Sequence, residues 1–344
     1  MKLTGRMRND VYPANILFLI IILVFTGCKP SKDLDNKKEV PSEAKQLVAA
    51  PDFNADSAYY YIQKQVEFGP RIPNTPAHYQ TGIYLEMKLR SFNASVELQE
   101  FQEATYNGEV LSLKNIIASF HPEKSRRILL GAHWDTRPFS DKDPENPRKP
   151  FDGANDGGSG VGVLLEIARI LSVHEPKNAG IDIIFFDGED YGEPEFNKEE
   201  IINSSKIYWC LGSQYWSKNK HKRNYMAYYG ILLDMVGGRD AAFYKEGGSM
   251  QFAKKIVEKV WDAGHTTGFG QYFINQTSPG ITDDHIFVNR DAKIPMINIV
   301  EYDPEDPNSY FGPYHHTQDD NMELIDRNTL KAVGQTILHV IYNE

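Results

Sequence analysis

The chain has 344 residues, 41% of them hydrophobic and 24% charged, an ordinary globular composition with enough apolar residues for a sizeable core. Its formal charge of -10, without any basic patch interleaved with aromatics, argues against nucleic acid as a partner. One folded domain of roughly 290 residues is expected, because large α/β folds commonly exceed the ~150-residue prior.

At the N-terminus, Lys2, Arg6 and Arg8 precede the apolar stretch Ile16 to Phe25 and then Thr26-Gly27-Cys28. An apolar core of about ten residues is too short for the ~20 that span a bilayer, so a secretory signal is expected. The small pair before Cys28 resembles a bacterial lipoprotein box, in which the cysteine becomes the lipidated first residue; Phe25 stands where Leu is usual. The expected layout is a signal over 1–27, a tether with lipidated Cys28 over 28–50, and a catalytic domain over 51–344. Such a chain would be exported and membrane-tethered in a bacterial cell envelope, facing periplasm or exterior. With Cys28 lipidated, Cys210 has no intramolecular partner and no disulfide is expected.

Residues 56–68 and 76–92 carry apolar positions at helical spacing. Strands are predicted near 111–120, 126–134, 181–186, 226–234, 269–274 and 294–300, and helices over 159–173, 204–218, 249–263, 282–290 and 327–342. The alternation implies α/β: a central mixed, mostly parallel sheet covered by helices on both faces. Such sheets bind ligands beyond the carboxyl ends of their strands, which is where His133, Glu189, Asp190 and Asp234 fall.

In ILLGAHWDTRP, His133 ends an apolar strand and Asp135 lies on the same side two residues on. The aspartate is placed to orient a metal-bound imidazole, although a buried, hydrogen-bonded His explains HxD alone. In GANDGGSG, Asp156 is either a helix cap or a metal ligand. IDIIFFDGED runs an apolar strand into Asp187, Glu189 and Asp190, and buried adjacent carboxylates need a cation or shared protons to offset their cost. One can bind metal while its neighbour serves as general acid or base. Asp234 closes a further strand in GILLDM; Asp283 and Asp284 open a helix in TDDHIF, with capping as the plain alternative and His285 read as structural; His315 and His316 lie in a Gly/Pro loop before TQDDN.

GAND, FFDGED, LLDM, DDHIF and HHTQDDN, in that order, resemble the zinc aminopeptidases with co-catalytic metals, and more closely their relatives the animal-type glutaminyl-peptide cyclotransferases. The resemblance covers residues 55–344. It implies one zinc held by Asp156, Asp190 and His316 with an open fourth position. It also implies proton transfer by Glu189, with Asp234 and Asp283 as supporting carboxylates and a cis peptide after Asp156. Aspartate at 283, where the aminopeptidases usually have serine, favours the cyclase. Phe311 matches a pocket aromatic, and His315 replaces the tryptophan that precedes the zinc histidine. Trp134 and Trp209 are candidate pocket walls, since a longer segment, EPEFNKEEIINSSKIYWCLGSQYW, follows GED.

The implied activity is cyclisation of N-terminal glutamine to pyroglutamate with ammonia release, acting as a monomer on N-terminal Gln peptides and exported proteins. The main alternative is a two-zinc aminopeptidase, with His133 and Asp234 holding the second metal. A tethered binding module without chemistry is a third.

Overall fold

The computed structural model describes residues 47–196, 206–306 and 310–344. The expected signal, Cys28 and most of the tether lie outside them. Among the described residues, no helix is long and apolar enough to cross a membrane.

Two helices open the compact unit Leu47–Glu344. α1 (Ala55–Val66) is capped by the Asn54 side chain, and α2 (Pro76–Ser91) by Thr75, with Pro76 in its first turn. The central sheet contains β1 (Ser95–Ala104), β2 (Val110–Phe120), β3 (Arg127–His133), β4 (Gly180–Phe186) and β5 (Tyr229–Asp234). Between them run α3 (Gly158–Leu171) and α4 (Leu211–Lys218). β6 (Phe243–Lys245), α5 (Gly247–Thr266), β7 (Phe273–Thr277), α6 (Asp284–Phe287), β8 (Met296–Val300) and α7 (Arg327–Tyr342) complete the fold.

The strand order is β1-β2-β4-β3-β5-β8. β1 and β2 run antiparallel to their neighbours, whereas β4, β3, β5 and β8 are mutually parallel. This is the expected mixed sheet. Alternation along β3 divides its side chains: Ile128, Leu130 and Ala132 enter the larger core with residues of α1, α3, α5 and α7, and Leu129 faces Trp216 and Met296 on the other side. Because four parallel strands end side by side, the loops after them converge on one edge.

Four details depart from the sequence reading. β1 was not anticipated: its SVELQEFQEA sequence is polar because it is a half-exposed edge strand. β7 lies at 273–277 and pairs with β6 in a separate two-stranded ribbon. The helix expected over 282–290 is one α turn followed by a π-helical turn, Val288–Ala292, held where the Asn289 side chain bonds Met296 N–H and C=O. The helix expected from 204 begins at Leu211, and residues 197–205 lie outside those described.

Candidate active site

His133 is the last residue of β3. Its Nε2 lies 3.1 Å from Asp156 Oδ1 and 3.2 Å from Asp234 Oδ1, while Nδ1 is 3.5 Å from Asp135 Oδ1. Burial lowers the basicity of the ring, but the facing carboxylates of Asp135, Asp156 and Asp234 outweigh it and hold the pKa well above the ordinary value. Asp135 does more than face His133: its carboxylate accepts the backbone N–H of Glu189 at 3.0 Å and of Asp190 at 3.2 Å, fixing the turn after β4.

Asp156 sits in the loop between β3 and α3. It is not the helix cap; Gly157 occupies that position at φ +77, and a Cβ there would come within 2.8 Å of His133. The turn is made with trans bonds, since no described peptide bond is cis, contrary to the expectation after Asp156. Asp320 anchors the loop by accepting Asn155 N–H at 2.6 Å and Asp156 N–H at 3.0 Å. The Asp156 carboxylate thereby spans two imidazoles, with Oδ2 at 3.5 Å from His316 Nε2.

His316 Nε2 is also 3.3 Å from Asp190 Oδ1. Neither Asp190 oxygen, both buried, makes a well-formed hydrogen bond, and burial raises the pKa of this carboxyl despite His316. On the far side of the ring, His316 Nδ1 lies 3.3 Å from Asp141 Oδ1, the arrangement that presents the other nitrogen of a metal-binding histidine. Asp141 is in turn gripped by Arg137 at 2.5 and 2.9 Å, and Arg137 Nη1 approaches Asp190 Oδ1 at 3.5 Å. Orphaned carboxylate oxygens beside an oriented imidazole fit a divalent cation. Asp156, Asp190 and His316 therefore have the donor chemistry to hold one. Asp156 with His315 and His316, and Asp156 with His133 and Asp234, are groups whose donor atoms lie within 4.8 Å of one another.

Glu189, at the same turn, is pushed well above the ordinary carboxylate range by burial and by the charges of Asp283 and Asp190, with His133 opposing. Burial also lifts Asp234 to about 7, against the pull of His133. Asp283 does two things: it caps α6, with Oδ1 accepting Asp284 N–H, and its other oxygen accepts Asn298 Nδ2 at 2.5 Å. Burial raises its pKa as well. The third acid of the FFDGED turn faces away: Asp187 pairs with His78 Nε2 at 2.9 Å and accepts Lys114 N–H at 2.6 Å.

These groups open into a cleft of about 410 Å³ lined also by Trp209, Phe311 and His315. Trp209 lies parallel to His316 at 6.3 Å and over the Arg137 guanidinium at 4.5 Å. His315 meets Phe311 edge-on at 4.7 Å and contacts Lys142 Nζ at 2.7 Å; burial, with His316 and Lys142 nearby, holds it well below the ordinary histidine value. Trp134 does not line this cleft, which corrects its assignment to the pocket. Alternation at the strand end turns it away from the side shared by His133 and Asp135, so it stacks on His78 at 4.2 Å beside a separate cavity of about 530 Å³.

Sequence reasoning passed over Arg137, Asp141, Cys210 and Asp320. Arg137 and Asp141 follow HWD closely and pair with each other, and Asp320 lies in TQDDN, but the contacts that tie them to His316, Asp190 and Asp156 are distant in sequence and no local pattern marks them.

The model of peptidase family M28 matches residues 115–341. Glutaminyl cyclase from Tannerella forsythia is 57% identical, covering 86% of this chain and 100% of that one with a TM-score of 0.82. A zinc-dependent exopeptidase from Parabacteroides distasonis is 56% identical over the same shares, with a TM-score of 0.83. The glutaminyl-peptide cyclotransferase of Drosophila melanogaster is 26% identical over 278 residues, 75% of this chain and 72% of that protein. The chain belongs to peptidase family M28.

Proposed function

We propose that the protein is a zinc-dependent glutaminyl-peptide cyclotransferase, converting N-terminal glutamine of peptides and exported proteins to pyroglutamate with release of ammonia. The observation that carries this reading is the grouping of the half-buried Glu189 with the buried Asp283, carboxyls of raised pKa, beside His316 and the unsatisfied Asp190 oxygens. The likeness to the Tannerella forsythia glutaminyl cyclase supports it.

Asp156, Asp190 and His316 would hold one zinc. When bound, zinc supplies Lewis-acid polarisation of the substrate's γ-carboxamide. The cleft holds the glutamine side chain folded back on its own α-amine, with Trp209 and Phe311 excluding water. The amine nitrogen bonds to the carbonyl carbon (Cδ) of the side-chain carboxamide, that carbon's bond to the amide nitrogen breaks, and ammonia leaves. Glu189 accepts the amine's proton and returns it to the departing nitrogen, its basicity raised by burial and by the charges of Asp283 and Asp190. Asp283 and Asp234, carboxyls whose pKa burial raises, complete the hydrogen-bond network around the developing charge.

The rival reading is a two-zinc aminopeptidase. The His133, Asp156 and Asp234 group and the likeness to a zinc-dependent exopeptidase favour it. Zinc stoichiometry together with ammonia release separates the two. One equivalent with ammonia from Gln peptides supports the cyclase; two equivalents with amino-acid release support the peptidase.

We also propose that the domain works as a monomer tethered to the envelope through lipid on Cys28. Detergent-phase partitioning of the full chain, lost on Cys28→Ala, is the expected result; partitioning that survives the substitution contradicts it.

A further inference from the structure

The thiol of Cys210 takes no part in the chemistry above, yet it is fully buried against it. Sγ lies 3.0 Å from Glu189 Oε1, and Sγ, a Glu189 oxygen and an Asp283 oxygen lie within 4.8 Å of one another. The backbone is committed to the same contact. Cys210 N–H donates to Glu189 C=O at 2.8 Å and Leu211 N–H to Gly188 C=O at 3.0 Å, so residues 210–211 are strapped to the turn that carries Glu189. To make these bonds Cys210 adopts φ +58, a conformation uncommon for any residue but glycine. Although it precedes α4, its side chain makes no capping bond to the helix. The sulfur is directed at a carboxylate, where an inert core cysteine would be surrounded by apolar groups.

We propose that Cys210 is a positioning residue for proton transfer: its S–H donates to Glu189 and selects the rotamer that faces substrate. With Asp135 accepting the Glu189 N–H, the turn is then held at its N–H, its C=O and its side chain. The inference rests on the reading of Glu189 as the proton-transfer group. A carboxylate loosened by about 1 Å loses up to a hundredfold in rate, and loss of one positioning bond of several is expected to cost about tenfold.

Three substitutions in the full chain test it. Cys210→Ser keeps a donor, Cys210→Ala removes it, and Cys210→Gly removes it while suiting the left-handed backbone, which guards against misfolding. The expected result is kcat down about tenfold in the Ala and Gly variants with KM within about twofold, zinc content unchanged, and most of kcat recovered in the Ser variant. Unchanged kcat in Ala and Gly, or a Ser variant as impaired as Ala with its zinc intact, overturns the proposal. Each protein is assayed for both ammonia release and N-terminal residue release. A wild type that shortens peptides overturns the cyclisation reading, while the same series still reports whether Cys210 positions Glu189.

Discussion

Two buried imidazole–carboxylate pairs, one between the caps and first turns of α5 and α6 and one between the loops after β4 and β8, behave oppositely. In the first, His285 Nε2 meets Glu246 Oε2 at 3.0 Å, and Glu246 also accepts Gly248 N–H, Ser249 N–H, Ser249 Oγ–H and Ile281 N–H. Burial pushes that carboxyl up, but the bonds from His285 and Ser249 outweigh it and bring the pKa to about 2. In the second, His316 Nε2 is 3.3 Å from an Asp190 carboxylate with no well-formed hydrogen bond, and burial leaves it above its ordinary value. Composition is the same and saturation differs. A carboxylate with every lone pair filled holds the fold, whereas one left open in the interior is a place for a cation or a proton.

Substitutions that exchange the two behaviours break or sharpen this contrast. The largest effect is expected from Glu189→Gln, which keeps the shape of the proposed proton-transfer group and removes its basicity. Turnover of a Gln peptide should fall by about a hundredfold or more with zinc still bound. Next, His316→Ala should purify without zinc, whereas His285→Ala should retain metal and lose stability, read by elemental analysis and thermal melting. Asp141→Asn weakens the grip on His316 Nδ1 without touching the donor atoms. Zinc affinity, measured by chelator competition, should drop about ten- to a hundredfold.

The smallest effect concerns the saturated pair. Glu246→Gln is expected to cost about 2 kcal/mol in urea unfolding at neutral pH. The Glu246 carboxyl sits near 2 in the fold against an ordinary 4.5, so its contribution is complete above that ordinary value and disappears as pH falls through the folded-state value. Wild-type and variant unfolding curves should therefore converge in acid. Curves that stay parallel would show that Glu246 is held by packing alone.

Much of this was legible in the chain. The apolar runs into His133, Glu189 and Asp234 gave the parallel strands and their carboxyl ends, because a buried strand writes its hydrophobicity continuously. Asp156 was undecided between cap and ligand, and the structure places Gly157 at the cap and the carboxylate between two imidazoles. Asp283 was undecided too, and it does cap its helix while lining the cleft. What escaped was long-range. Asp141 is 175 residues from the histidine it holds, and Cys210 reaches Glu189 across a sequence separation of 21. Trp134 was misplaced although strand alternation alone sets it opposite His133 and Asp135. β1 was missed because an exposed edge writes little hydrophobic signal.

Mass spectrometry of a Gln-Xaa-Xaa peptide incubated with the zinc-loaded protein decides the chemistry. Loss of one ammonia with the peptide otherwise intact is the expected result, and it should vanish in Glu189→Gln. Loss of the whole N-terminal residue would contradict cyclisation and assign His133 and Asp234 to a second metal.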